Sequence, residues 1–155
     1  MKPFSCSIFL FFVLLFSSCN TIDVYEKMQA IPKHEWSANN RLSFNFIVAD
    51  SAAYYNIYMV IRHTESYHFN NIWVDLTAAS PGSKSQTQRL NVPLASSNGW
   101  LGAAMDDIIE QRILLFKNPI HLVKGNYTFT LQQVMRQNPL QNVLNAGIRV
   151  EKVVR

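Results

Sequence analysis

Cys19 is the residue best placed for covalent chemistry. It follows Ser17-Ser18, which closes the apolar run from Ile8 to Phe16 behind Lys2. A positive n-region, a short apolar h-region and small residues at a cleavage point mark a secretory signal. Nine apolar residues span roughly 14 Å as a helix, about half the hydrocarbon core, so the run is too short for a permanent span. A cysteine directly after two small residues adds a second chemistry. In a bacterial lipobox that thiol takes a diacylglyceryl group and then becomes residue one after cleavage. Phe16 stands where such boxes usually carry leucine. The chain has two cysteines, and Cys6 lies within the signal. A chain starting at Cys19 therefore has no internal disulfide, and lipidation accounts for its unpaired thiol. Acyl chains contribute about 0.8 kcal/mol per buried CH₂, and several together anchor stably. Plain secretion with a free or disulfide-bonded Cys19 is the competing reading.

Other chemistry-bearing residues are sparse. His63 and His68 flank a turn that also holds Glu65, but two histidines without convergent carboxylates make a poor metal site. They read as solvent-exposed turn residues, and no metal or cofactor is implied. Asp106, Asp107 and Glu110 suggest the paired carboxylates of glycoside chemistry. Their helical spacing instead puts them on a polar face opposite Met105 and Ile109. Ser96 and Ser97 lack a Gly-x-Ser-x-Gly setting, and His-Glu-x-x-His and Cys-x-x-Cys are both absent. The residues predict no catalysis.

A binding site is easier to assemble. Tyr54–His63 alternates Tyr55, Ile57, Met59 and Ile61 with Tyr54, Asn56, Tyr58, Val60 and Arg62. Asn71–Thr77 alternates Ile72, Val74 and Leu76 with Asn71, Trp73, Asp75 and Thr77. Tight turns would set Ile57 against Val74 and Met59 against Ile72. Tyr58 then lies opposite Trp73, and Asn56 opposite Asp75, with Arg62 closing the row. Such a patch can stack on a sugar ring or form the centre of a protein contact. A covering helix or the N-terminal segment would bury it instead.

The elements that must carry this row extend through the chain. Leu42, Phe44, Phe46 and Val48 form the apolar face of a further strand. Joined tightly to the next strand, it pairs Val48 with Tyr55, Phe46 with Ile57 and Phe44 with Met59. The three strands read as an antiparallel meander over 42–77, since a one-residue slip breaks every apolar pair. Eleven inward side chains, each contributing roughly 1.5–3 kcal/mol when buried, require a second layer. Further strands are predicted at Arg89–Leu94, Arg112–Lys117, Tyr127–Met135 and Gly147–Val154, with Pro93 marking an edge. Two short helices are predicted, at Trp100–Glu110 and after Asn138-Pro139. The expected fold is mainly β: an antiparallel β-sandwich, jelly-roll-like or immunoglobulin-like, of seven or eight strands with these helical insertions. Residues 1–18 are read as the removed signal, 19–40 as a lipidated tether whose Trp36 docks on the fold, and 41–155 as one domain.

Charge narrows the partners. The formal charge of +4 falls to +3 when Lys2 leaves with the signal, and Cys19–Arg155 contains 137 residues, enough for one core. Arg41, Arg62, Arg89, Arg112, Arg136 and Arg149 are scattered without a basic run, so no nucleic acid is implied.

Against this background the chain resembles the gliding-motility lipoprotein H (GldH) family of Bacteroidota. The resemblance runs through the lipobox, Phe44–Asp50, Tyr55–Tyr58 with Ile61-Arg62, Tyr67–Trp73 and Gly99–Gly102. It continues with Asp107-Ile108, Gly125–Phe129, Gln133–Arg136, Pro139-Leu140 and Gly147–Glu151. Ala104 departs from it, standing where a second glycine is expected after Trp-Leu-Gly. The resemblance implies a non-enzymatic accessory lipoprotein of the gliding apparatus, which these bacteria couple to protein secretion across the outer membrane. Its partners would be the membrane, through the N-terminal lipid, and other envelope proteins of that machinery. Asn20-Thr21-Ile22 lacks the acidic cluster that looks like a surface-export signal, so an outer-membrane anchor facing the periplasm is expected. A lipid-anchored module binding peptidoglycan or polysaccharide is the alternative.

Overall fold

The alternating runs fold as strands in a computed structural model that describes residues 24–153. In chain order these are β1 Val24–Ala30, β2 Glu35–Trp36, β3 Leu42–Val48, β4 Tyr54–Thr64, β5 Asn71–Ala79, β6 Gln86–Pro93 and β7 Ala95–Ser96. Then come β8 Gly99–Trp100, β9 Ala103–Met105, β10 Ile108–Leu114, β11 Ile120–His121, β12 Gly125–Gln133, β13 Leu140–Gln141 and β14 Val143–Lys152. One sheet runs β1-β14-β4-β10-β9 with β11 also on β4, and a second runs β3-β12-β5-β6; β2 pairs with β13 and β7 with β8 as small ribbons, and every pairing is antiparallel. The molecule is a β-sandwich, and the side chains between its sheets form the core.

All eleven predicted inward residues of β3, β4 and β5 are buried. Their partners differ from the expected meander. β3 pairs with β12, placing Phe46 beside Tyr127 and Phe44 beside Phe129, and β12 separates it from β5. β4 lies in the opposite sheet between β14 and β10. Connections 49–53 and 65–70 cross from sheet to sheet, and five or six residues readily bridge the ~10 Å between layers. Apolar matching could not reveal this, because inward residues of facing sheets match as well as those of neighbouring strands. Phe46 shows the result: its ring stacks on Tyr127 at 5.4 Å, meets Phe129 edge-on at 5.0 Å and lies 5.3 Å from Tyr25.

The two helical insertions are replaced by strands and turns. Gly102 and Asp106 have φ of +116° and +54°, so the 100–110 segment cannot wind as a helix; it forms β9, a turn and β10. Ala104 lies within β9 opposite Ile109, an extended position that needs no glycine. After Pro139, Leu140 pairs with Trp36, and Asn142 takes a φ of +67° before β14 begins. Among the described residues the only helical segment is a 3₁₀ turn at Pro32–His34.

The segment read as a tether, residues 19–40, overlaps the sandwich. From Val24 the chain is part of the sandwich, because β1 pairs residue by residue with β14 from Val24↔Glu151 to Ala30↔Asn145. Ile31 and Trp36 are buried, and the Trp36 indole donates to the Asn40 carbonyl at 2.9 Å. The signal and Cys19 lie outside the described residues.

Candidate functional site

Putting β4 and β5 in different sheets splits the expected binding row. Asn56, Tyr58 and Arg62 face outward from the six-stranded sheet, whereas Trp73 and Asp75 face outward from the four-stranded sheet. The neighbours across the strands are therefore new. Tyr58 lies between Arg149 and Leu114, and Arg62 lies opposite Glu110.

On the six-stranded face, charges from four strands alternate in one network. Arg62 donates to Glu110 at 2.6 Å, and Glu110 also holds Arg112 at 2.9 Å. Arg112 reaches across β4 and β14 to Glu26, meeting both carboxylate oxygens at 3.0 and 3.1 Å. Arg149 bridges Glu26 at 2.8 Å and Glu151 at 3.2 Å. Hydrogen bonding from Arg112 is the main cause that holds the Glu26 carboxyl below the usual carboxylate range. Three arginines and three glutamates cancel, so this face carries no net field from them. Tyr58 and the exposed Leu114 form an apolar spot beside the network.

The four-stranded face is different. Ser43, Thr130, Thr77 and Thr87 form a hydroxyl row across all four strands, with hydrogen bonds of 3.1 Å between Ser43 and Thr130 and 2.8 Å between Thr77 and Thr87. Next along β5, Arg89 grips Asp75 through two parallel bonds of 2.8 and 2.9 Å, which hold the Asp75 carboxyl below its ordinary value. Beyond that pair Trp73 is 40% exposed, and Asn71 donates to the Asn91 side chain at 2.6 Å. In the sequence Thr128, Thr130 and Gln132 alternate with Tyr127, Phe129 and Leu131, but the partners of this polar row on β3 and β5 are not legible there.

The remaining candidates separate. His63 is buried rather than solvent-exposed, because it continues the inward row Tyr55-Ile57-Met59-Ile61 of β4, while His68 is exposed. Rings of Tyr67 and Trp100 lie 5.2 and 4.6 Å from it. Its Nδ1 donates to the Thr64 carbonyl at 2.9 Å, while Nε2 is buried without a partner. Burial pushes the imidazole below its ordinary pKa, and the Thr64 bond partly opposes that shift. Among the described residues no three His, Cys, Asp or Glu side chains group as metal ligands. Asp106 and Asp107 sit in the β9–β10 turn, while Glu110 is committed to its arginines, so the three carboxylates form no pair across a cleft.

His63 gives a pH prediction. A histidine neutral in the fold but protonated when unfolded near pH 6.5 contributes stability above that pH and loses it as pH falls through its lower folded value. The urea midpoint of the wild type should therefore fall between pH 7.5 and 5.5. The corresponding fall should be smaller in His63→Gln, and equal slopes would assign the effect to other groups.

Comparison with known proteins adds the family. The model of the GldH lipoprotein family matches residues 23–150. A protein of Christiangramia forsetii described as a gliding motility lipoprotein GldH homolog is 30% identical, and the alignment covers 97% of each chain. The gliding motility lipoprotein GldH of Flavobacterium johnsoniae is 24% identical over 98% of this chain and 99% of its own. No solved structure matches the chain. The family model and both relatives, matched over nearly their whole length, agree with one another, and the chain belongs to the GldH lipoprotein family.

Proposed function

We propose that this gliding-motility lipoprotein is a non-enzymatic assembly component of the gliding machinery and of the secretion coupled to it. In this reading the signal is cleaved before Cys19, and acyl chains on Cys19 hold the protein in the outer membrane, facing the periplasm. The family match over residues 23–150 carries the proposal. The lipobox, and Asn20-Thr21-Ile22 standing after Cys19 in place of an acidic cluster, support the anchor and its orientation. The sandwich then works as a module that holds other envelope proteins of the machinery.

The protein contact is assigned to the six-stranded face around Asn56, Tyr58 and Arg62. An aromatic residue set among paired charges suits the centre of an interface, where a tyrosine is well placed to carry much of the binding energy. Trp73 and Asp75 belong to the other face and are not part of this contact.

Crosslinking in gliding cells, followed by identification of the attached proteins, tests the reading. The wild type should capture envelope components of the gliding or secretion machinery, and Tyr58→Ala should lose them with a nearly unchanged unfolding midpoint. Cys19→Ala should leave the membrane fraction. Capture unaffected by Tyr58→Ala would remove this face from the contact, and capture of no machinery component would overturn the assembly role.

A further inference from the structure

The four-stranded face has two hollows on either side of the Asp75–Arg89 pair. The first, about 570 Å³, is walled by Phe69, Trp73, Met135 and Arg136, with Asn71 at its edge. The second, about 310 Å³, is lined by Thr77, Thr87, Thr130, Gln132 and Arg41, with the Arg89-paired Asp75 at its edge. Trp73 and Thr77 are four residues apart on β5, so the hollows lie about 13 Å apart along the strand. Each contains one arginine, Arg136 or Arg41, that makes no hydrogen bond or ion pair among the described residues.

These side chains specify a ligand. An exposed indole offers an electron-rich face to the C–H groups of a pyranose ring. Planar amides and the Asp75–Arg89 pair offer fixed donors and acceptors to ring hydroxyls, and the threonine row continues that chemistry into the second hollow. The two free guanidiniums add positive charge at intervals, and their forked donors match carboxylates. Asp75 is neutralised by Arg89, so the face keeps both charges, whereas the network on the opposite face cancels. Charge complementarity therefore selects a polyanion, and two hollows at this spacing select one longer than a single ring.

We propose that the outer face of the four-stranded sheet binds a linear, carboxylate-bearing polysaccharide, with one ring stacked on Trp73 and carboxylates paired with Arg136 and Arg41. This site is separate from the Tyr58 contact, and its success or failure leaves that reading untouched.

Calorimetric titration of the purified full chain in mild detergent tests the site, with polygalacturonate as probe. Saturable binding is expected, with none for neutral dextran. Trp73→Ala and Arg136→Ala should each weaken it on the order of tenfold, while Tyr58→Ala leaves it unchanged. Trp73→Tyr should restore much of the loss, because it keeps a ring. If Trp73→Ala lowers the unfolding midpoint, Arg136→Ala and Arg41→Ala, both at exposed positions, decide the matter. Equal binding of polyglutamate with no dependence on Trp73 would reduce the site to non-specific charge attraction. Preference for dextran sulfate would overturn the carboxylate assignment, and failure to bind polygalacturonate would overturn the proposal.

Discussion

Trp36→Ala should lower the free energy of unfolding by about 3–5 kcal/mol, the range for removing a fully buried tryptophan. Trp36 is wholly inaccessible, although its strand has only two residues. Its indole N–H closes the 36–40 turn on the Asn40 carbonyl, its backbone pairs with Leu140, and its own carbonyl accepts from the buried Gln133 side chain at 3.1 Å. Removing the ring leaves a cavity in the core that these fixed partners cannot close. Trp36→Phe retains most of the volume but loses the indole donor, and should cost about 1–2 kcal/mol by comparison. Urea unfolding measures both. A loss below about 1 kcal/mol for the alanine variant would mean that residues 31–40 form a detachable strap and contribute little to the core.

Trp36 also shows where the sequence was legible. Its aromatic character marked it as docking on the fold, and period two placed eleven inward residues of β3, β4 and β5 correctly. Alternation reports which face of a strand is buried, because burial is a property of each residue. Pairing is a property of two distant segments, and nothing in β3 names β12 as its neighbour. The Tyr58–Trp73 row failed for that reason: the side chains were outward as expected, but on different sheets. Val24–Ala30 reads as tether because the 20–40 stretch is polar with few branched apolar residues, as befits an edge strand partnered on one side only. The predicted helices failed through local geometry. Trp100, Met105 and Ile109 recur at helical spacing, yet Met105 is 72% exposed and Ile109 is buried, so they share no face. His63 lies inside for a simpler reason: it continues the inward row of β4 two residues beyond Ile61.

Gly147→Ala should release β1 from the sandwich. An alanine Cβ there would lie 2.3 Å from the Lys27 carbonyl oxygen and 2.8 Å from the Met28 Cα, both backbone atoms of β1 that cannot rotate aside. Overpacking of this kind typically costs about 1–3 kcal/mol, and the rigidity of the neighbours puts the expected loss at the upper end. The effect extends beyond the clash. Gly147 lies next to Val60 on β4, which is fully buried although it belongs to the outward row of that strand. Arg112 crosses this bare part of the sheet to reach Glu26, and moving β1 withdraws the carboxylate that holds Arg112 and Arg149. Hydrogen exchange should quicken at residues 24–30 in Gly147→Ala while the amides of β12 stay protected. Glu26→Ala separates the two contributions, since it removes the ion pairs without disturbing the backbone. These pairs are partly exposed and screened, so that variant should cost about 1 kcal/mol or less. If Glu26→Ala released β1 as fully as Gly147→Ala, charge pairing would hold the strand. If only Gly147→Ala does so, the close backbone approach at this glycine is what keeps the first strand in the fold.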